Sequence, residues 1–365
     1  MNLAPYLKRA LWATLLSLTG CGVPGIPRPP SLDLPQPVTD LRAVRKGEEV
    51  FLAWAIPTAT TDGPRLRHLG STQICRSTDS AATDCARSIA SVAPPPQSQQ
   101  ANSATRNTNR QVTFTDQLPP AILSSDPAAE FFYAVSVLNQ RGRSAGLSNK
   151  VIVPAVVALP PPSDFRAQVT ADGVLLSWTG ISQSEETAEL RHLYRVYRRE
   201  EATRADMIVG EMPFGALRTY LILDHSFEWE KSYEYRATVV NLIHVAGRPE
   251  TQFEGDDTPS IRVFAHDIFP PAVPSGLQAV FSGVGQQPFV DLIWAPDTEP
   301  DLAGYYVYRH EPGTPEQKIN PEIVKTPAYR DMNVSPGRTY FYSVSAVDVR
   351  GNESAHSAEA SESVP

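Results

Sequence analysis

The stretch Val50-Phe51-Leu52-Ala53-Trp54 recurs twice further along the chain, as Val174-Leu175-Leu176-Ser177-Trp178 and as Val290-Asp291-Leu292-Ile293-Trp294. The first, third and fifth residues of each copy are Val, Leu and Trp. Because side chains alternate between the two faces of a β-strand, these three residues share one face and predict a half-buried strand. The repeat indicates three copies of one structural unit.

Further strands recur in the same order after each copy. A penultimate strand rich in aromatic and β-branched residues is predicted at residues 131–137, 233–239 and 340–346. No helical periodicity separates these strands, and the chain has 34 prolines, which interrupt helices and fit loops and strand edges. The pattern predicts an all-β fold of three tandem β-sandwiches. We expect their limits at residues 37–155, 160–266 and 270–365.

Two segments do not fit the repeat. Residues 94–110 are a polar tract after Pro94-Pro95-Pro96, and we expect a mobile insertion there. Residues 200–217 are compatible with a short helix or with an enlarged loop.

The third copy carries the most complete set of signature residues, which are Trp294-Ala295-Pro296, Tyr305, Val307, Tyr308, Tyr340 and Gly351-Asn352-Glu353-Ser354. This set resembles the fibronectin type III family, and the resemblance covers nearly all of residues 37–365. It implies an immunoglobulin-like sandwich in each copy, with core tryptophans at Trp54, Trp178 and Trp294.

The resemblance also assigns a role to a tyrosine at the start of the penultimate strand. In the family this hydroxyl bonds to the backbone and locks a corner, a role that falls here to Tyr233 and Tyr340. The first copy departs from the family, because it has Phe131 at the corner. It also has Cys75 where the other copies have Tyr197 and Tyr308.

The N-terminus has the layout of an export signal. Lys8 and Arg9 precede an uncharged, mostly apolar stretch over residues 10–19, which is too short to span a bilayer. Leu18-Thr19-Gly20-Cys21 resembles the bacterial lipoprotein signal. The resemblance implies cleavage after residue 20, diacylation of Cys21 and a proline-rich tether over residues 21–36; the alternative is a secretory signal that is cut elsewhere. In the lipoprotein family of enteric bacteria, an Asp after the lipidated cysteine retains the protein in the inner membrane, so the resemblance with Gly22 at this position implies the outer membrane.

The other two cysteines, Cys75 and Cys85, are close in sequence. In an oxidising compartment such a pair predicts a disulfide. A zinc site needs four ligands, and no histidine pattern accompanies this pair.

The composition argues against several functional classes. The formal net charge is −8, and we find no Lys and Arg cluster of the kind that a nucleic-acid-binding protein uses. The seven histidines show no metal-ligand spacing, and there is no Gly-rich phosphate loop and no Gly-x-Ser-x-Gly elbow. We therefore predict no catalytic residues, no metal and no cofactor.

Two acidic sets and a group of tyrosines keep alternatives open. Carboxylates at Asp297, Glu299 and Asp301, and at Glu254, Asp256 and Asp257, could bind calcium, although the resemblance favours a loop without metal for the first set. Paired carboxylates could also hydrolyse glycosides if they faced a cleft. Exposed members of the group Tyr194, Tyr197, Tyr305, Tyr306 and Tyr308 could stack on sugars, but core packing accounts for them better.

The leading hypothesis is a non-enzymatic, lipid-anchored protein of the cell envelope that acts as a binding, scaffold or spacer module. It would be held at the outer membrane, on the periplasmic or the surface side, and would bind an envelope protein or a glycan. One alternative is a carbohydrate-active hydrolase or its accessory subunit. Another is a structural component of a periplasmic or surface assembly.

Overall fold

The computed structural model describes residues 32–63, 66, 68–95, 111–181, 186–283, 285 and 287–365. The predicted signal, Cys21, most of the predicted tether and most of the 94–110 insertion lie outside these residues. The chain divides into two compact units, residues 1–157 and 158–365, which are described separately.

The first unit contains one sandwich of two antiparallel sheets. Its strands are β1 (Arg42–Lys46), β2 (Glu49–Ala55), β3 (Thr72–Ser77), β4 (Ser88–Val92), β5 (Gln111–Gln117), β6 (Glu130–Val137) and β7 (Val151–Pro154). One sheet has the order β1-β2-β5 and the other the order β4-β3-β6-β7. Val50, Leu52 and Trp54 of β2 pack against Tyr133 and Val135 of β6 to form the core between the sheets.

The second unit begins with a second sandwich. Its strands are β8 (Ser163–Thr170), β9 (Gly173–Thr179), β10 (Leu190–Glu200), β11 (Asp206–Pro213), β12 (Thr219–Asp224), β13 (Ser232–Ile243), β14 (Thr251–Asp257) and β15 (Ile261–Phe264). One sheet has the order β12-β9-β8. The other has the order β11-β10-β13-β14, and β15 also pairs with β13. Residues 200–217, for which the sequence allowed a short helix or an enlarged loop, therefore contain a strand, β11.

A third sandwich completes the second unit. Its strands are β16 (Gln278–Ser282), β17 (Phe289–Ile293), β18 (Leu302–His310), β19 (Gln317–Lys318), β20 (Ala328–Asp331), β21 (Thr339–Asp348) and β22 (Ala360–Ser363). The sheets have the orders β16-β17-β20 and β19-β18-β21-β22. A register shift in β18 occurs at Gly304, where φ is +148° and an added Cβ would lie 2.4 Å from the carbonyl oxygen of Val324. This close approach explains why glycine stands there.

The three sandwiches have three separate hydrophobic cores, each containing one repeat tryptophan. The exposed fractions are 1% for Trp54, 1% for Trp178 and 5% for Trp294. The prediction of an all-β fold of fibronectin-type-III-like sandwiches is confirmed. Over the residues that the structure describes, no helix has the length and apolar character needed to cross a membrane.

Candidate functional site

One network of three side chains recurs in every sandwich and connects its two sheets. The sets are Arg76–Asp116–Tyr133, Arg198–Asp224–Tyr235 and Arg309–Asp331–Tyr342. In each set the Asp ends a strand of the three-stranded sheet or lies near its end, whereas the Arg and the Tyr come from the opposite sheet. The Arg Nη1 to Asp Oδ2 distances are 2.6, 2.7 and 2.7 Å. The tyrosine hydroxyls donate to the same oxygens over 2.6, 3.0 and 3.0 Å.

The electrostatics of this network favour a structural role. Burial opposes ionisation of Asp224, but hydrogen bonds from Ser226 and the charge of Arg198 outweigh it, so the pKa of this carboxyl lies below its usual range. Burial and the adjacent Asp224 carboxylate raise the pKa of Tyr235 far above its ordinary value. The carboxylate therefore stays charged and the phenol stays protonated. Such a pair holds the sheets together but does not exchange protons near neutral pH.

The arginines of the network also cover the predicted corner. Arg198 lies over the ring of Tyr233 at 4.9 Å and Arg309 over the ring of Tyr340 at 5.0 Å. The Tyr233 hydroxyl accepts the backbone N–H of Glu228 over 2.9 Å, and the Tyr340 hydroxyl accepts that of Ser335 over 3.0 Å. In the first sandwich Arg76 lies over Phe131, which has no hydroxyl to make this bond.

The tyrosines considered for sugar stacking are engaged within the protein. Tyr194 and Tyr305 are buried in the cores of the second and third sandwiches. The rings of the other three are covered by nitrogen-bearing side chains: Arg236 lies 4.6 Å from the centre of Tyr197, Lys318 lies 3.5 Å from that of Tyr306, and His356 stacks on Tyr308 at 4.1 Å. These contacts favour packing over sugar stacking.

A disulfide joins Cys75 and Cys85, with a Cα–Cα distance of 5.4 Å. Cys75 lies in β3, and Cys85 lies in the loop that leads to β4. The link therefore fastens this loop to the four-stranded sheet of the first sandwich.

The first acidic set is divided among different partners. Asp297 accepts the N–H of Glu299 over 2.9 Å, and Glu299 accepts the N–H of Ala272 over 2.9 Å. Asp301 lies apart from them, beside Asp267 and Asp348.

The trio Asp267, Asp301 and Asp348 brings three carboxylate oxygens within 4.8 Å of one another. Burial and the nearby carboxylates of Asp348 and Asp301 raise the pKa of Asp267. Hard cations prefer such oxygen ligands, so these are the described residues that could hold one. Asp348 already accepts the backbone N–H groups of Arg350 and Asn352, each over 2.8 Å. Sequence reasoning missed Asp267 and Asp348, because they come from distant segments.

Two carboxylates of the second acidic set are paired with arginines. Glu254 contacts Arg195 at 2.8 Å, and Asp257 contacts Arg236 at 3.1 Å, whereas Asp256 is exposed. Arginine pairing accounts for both paired carboxylates without a metal ion.

An open cavity of about 690 Å³ lies at one end of the second sandwich. Thr179, Phe214, Arg218 and Glu186 are among its lining residues. Glu186 accepts the backbone N–H of His192 over 3.1 Å and is the one carboxylate in the lining that the structure describes. Glycoside hydrolysis requires two carboxyl groups across the scissile bond, and the part of this lining that the structure describes supplies one.

The comparisons with known proteins concern the fold. No family model and no curated protein matches the chain. The chain is similar to the crystal structure of a Fn3-like protein from Clostridium thermocellum, with 35% identity over 27% of this chain and 96% of that chain and a TM-score of 0.23. It is also similar to the FN1-FN3 domains of chicken CNTN1, with 14% identity over 91% of this chain and 100% of that chain and a TM-score of 0.25. By its own strands, cores and repeated network, the chain is an all-β protein of fibronectin-type-III-like sandwiches.

Proposed function

We infer that the protein is a non-catalytic binding or scaffold module of the bacterial cell envelope, tethered to the outer membrane through acyl chains on Cys21. Its partner in this proposal is another envelope protein or a glycan. The sandwiches space the recognition surfaces away from the lipid, and residues 21–36 supply the tether.

One observation carries the proposal. In all three sandwiches, an Arg, a buried Asp and a buried Tyr bind one another across the two sheets. The charged groups of these networks thus serve the architecture, and recognition falls to the sheet faces and loops. Loops on a rigid β scaffold are well suited to binding.

Membrane attachment can be tested by fractionating cells that produce the full chain. Wild-type protein is expected in the membrane pellet and to incorporate labelled fatty acid, because two acyl chains anchor firmly. Cys21→Ser is expected to be soluble and unlabelled. The control, Cys75→Ser with Cys85→Ser, removes the disulfide but keeps Cys21, and it should remain in the pellet. Membrane retention of Cys21→Ser would contradict the anchoring proposal.

The nature of the partner can be tested by cross-linking the anchored protein in intact cells before membranes are solubilised. A single protein recovered in fixed stoichiometry supports a scaffold role. Recovery of envelope polysaccharide, lost after glycan digestion, supports glycan binding. Turnover of polysaccharide by the purified protein would contradict the non-catalytic assignment.

A further inference from the structure

The segment between β21 and β22 crosses the edge of the third sandwich as an irregular strap, which we define as residues 353–359. Two serines fasten its backbone. The Ser354 N–H donates to Ala346 over 2.8 Å and the Ser357 N–H donates to Val344 over 2.9 Å. The serine hydroxyls accept the N–H groups of the same two residues, over 2.9 Å from Ala346 and 3.1 Å from Val344. The strap therefore covers the edge of β21 at these positions.

Side chains at every third position of the strap, Glu353, His356 and Glu359, reach the outer face of the sheet. The His356 Nδ1 lies 2.9 Å from Glu316 and 3.2 Å from the Ser343 hydroxyl. Glu359 lies 3.0 Å from the Nε2 of His310 at the end of β18. Two His–Glu pairs thus fasten one strap, with the histidine on the strap in one pair and on the sheet in the other.

We propose that residues 353–359 are a pH-sensitive strap, which the His310–Glu359 ion pair holds against the third sandwich and which loosens as the pH rises and His310 loses its proton. A protonated imidazole forms an ion pair with a carboxylate, whereas a neutral one keeps only a hydrogen bond.

The surroundings of His310 support this direction. The hydrogen bond to Glu359, followed by that to the Glu311 carbonyl, raises the pKa of His310, and Glu316 contributes through its charge. His310 also stacks on Phe341 at 5.0 Å. A raised pKa means that this contact stabilises the folded strap below about pH 6.5 and is lost as the pH rises through the folded-state value.

His356 faces Glu316 and Ser343, stacks on the Tyr308 ring and lies near Glu353. Lys318 lies over Tyr306 and is a positive group that acts on Glu353.

Glu353 holds the start of the strap against the sheet through hydrogen bonds. Burial opposes its ionisation, but the hydroxyls of Ser345 and Tyr308 donate to it and hold its pKa below the usual range. Burial and Glu353 raise the pKa of Tyr308 to about 12. Neither group changes charge between pH 5.5 and 8. When the strap loosens, the N–H groups of Val344 and Ala346 lose their acceptors on the strap. An exposed strand edge with such N–H groups is one to which an extended peptide can add.

The test is amide hydrogen exchange of Val344 and Ala346 in the full chain at pH 5.5 and pH 8, corrected for the intrinsic exchange rate. One exposed ion pair is weak, so we expect protection to fall by up to roughly fivefold at the higher pH. The variants His310→Gln and Glu359→Gln should each abolish the pH response. His225→Gln, an exposed histidine of the second sandwich, is the matched control and should leave it intact.

Equal protection at both pH values in the wild type would overturn the proposal. An unchanged pH response in both variants would also overturn it. Amides of β17 and β18 in the same samples report whether the third sandwich remains folded in the variants, and Glu359→Gln tests the strap with His310 present.

Discussion

Asp224→Asn removes the charge at the centre of the network in the second sandwich. The Arg198 guanidinium, whose side chain is 5% exposed, bonds to this carboxylate at 2.7 Å. The Tyr235 hydroxyl donates to the same oxygen over 3.0 Å. Asparagine keeps the shape but leaves the buried guanidinium without a counter-charge.

The expected cost follows from the burial of the pair. Removing one partner of a buried ion pair costs about 3–5 kcal/mol, because the remaining charge stays desolvated. At about 1.4 kcal/mol per factor of ten, this equals a loss of roughly two to three and a half orders of magnitude in the protection of core amides.

Amide exchange detected by mass spectrometry measures this cost strand by strand in the full chain. Peptides from β10 and β13 should lose protection, whereas peptides from the third sandwich should not. Glu201→Gln is the control in the same sandwich, because the Arg262–Glu201 pair is 65% and 51% exposed and should contribute little. Equal, small losses in the two variants would refute the assigned role of the network.

Three further predictions concern acid, the disulfide and the corner. Because the pKa of Asp224 is depressed in the folded state, its ionised carboxylate stabilises the fold fully above the unfolded-state pKa of about 3.9, and this stabilisation is lost as the pH falls through the folded-state pKa. The urea midpoint of Asp224→Asn should therefore respond less to acid than that of the wild type. Reduction of the Cys75–Cys85 disulfide should destabilise the first sandwich by about 2–3 kcal/mol, measured by amide exchange in β3 and β4. An equal loss of amide protection in the other sandwiches would contradict this prediction. Tyr340→Phe leaves the N–H of Ser335 without its acceptor and should cost about 1–3 kcal/mol in a denaturant titration; an unchanged midpoint would contradict it.

The tryptophan strands could be predicted from the sequence because their pattern depends only on strand geometry. Trp54, Trp178 and Trp294 alternate with solvent-facing residues, and period-two alternation directly encodes one buried face. β11 was harder to predict. Its sequence contains Gly210 and Pro213, and pairing with β10 determines its conformation more than local propensity does.

Contacts between distant segments could not be predicted from the sequence in the same way. An Asp recurs in the sequence at positions 116, 224 and 331, but its Arg and Tyr partners depend on how the sheets face each other. The tertiary fold likewise brings Asp301 to Asp267 and Asp348, and His310 to Glu359. No local spacing rule identifies such neighbours.

The independence of the three cores can be measured most directly in Trp178→Ala. Removing this buried indole should cost about 3–5 kcal/mol in the second sandwich, seen as faster amide exchange in β9, β10 and β13. Exchange in β2 and β6 and in β17 and β21 should change by less than about 0.5 kcal/mol, because distant sites act independently. A comparable loss of protection in all three sandwiches would show one shared core and contradict a chain of separate binding modules.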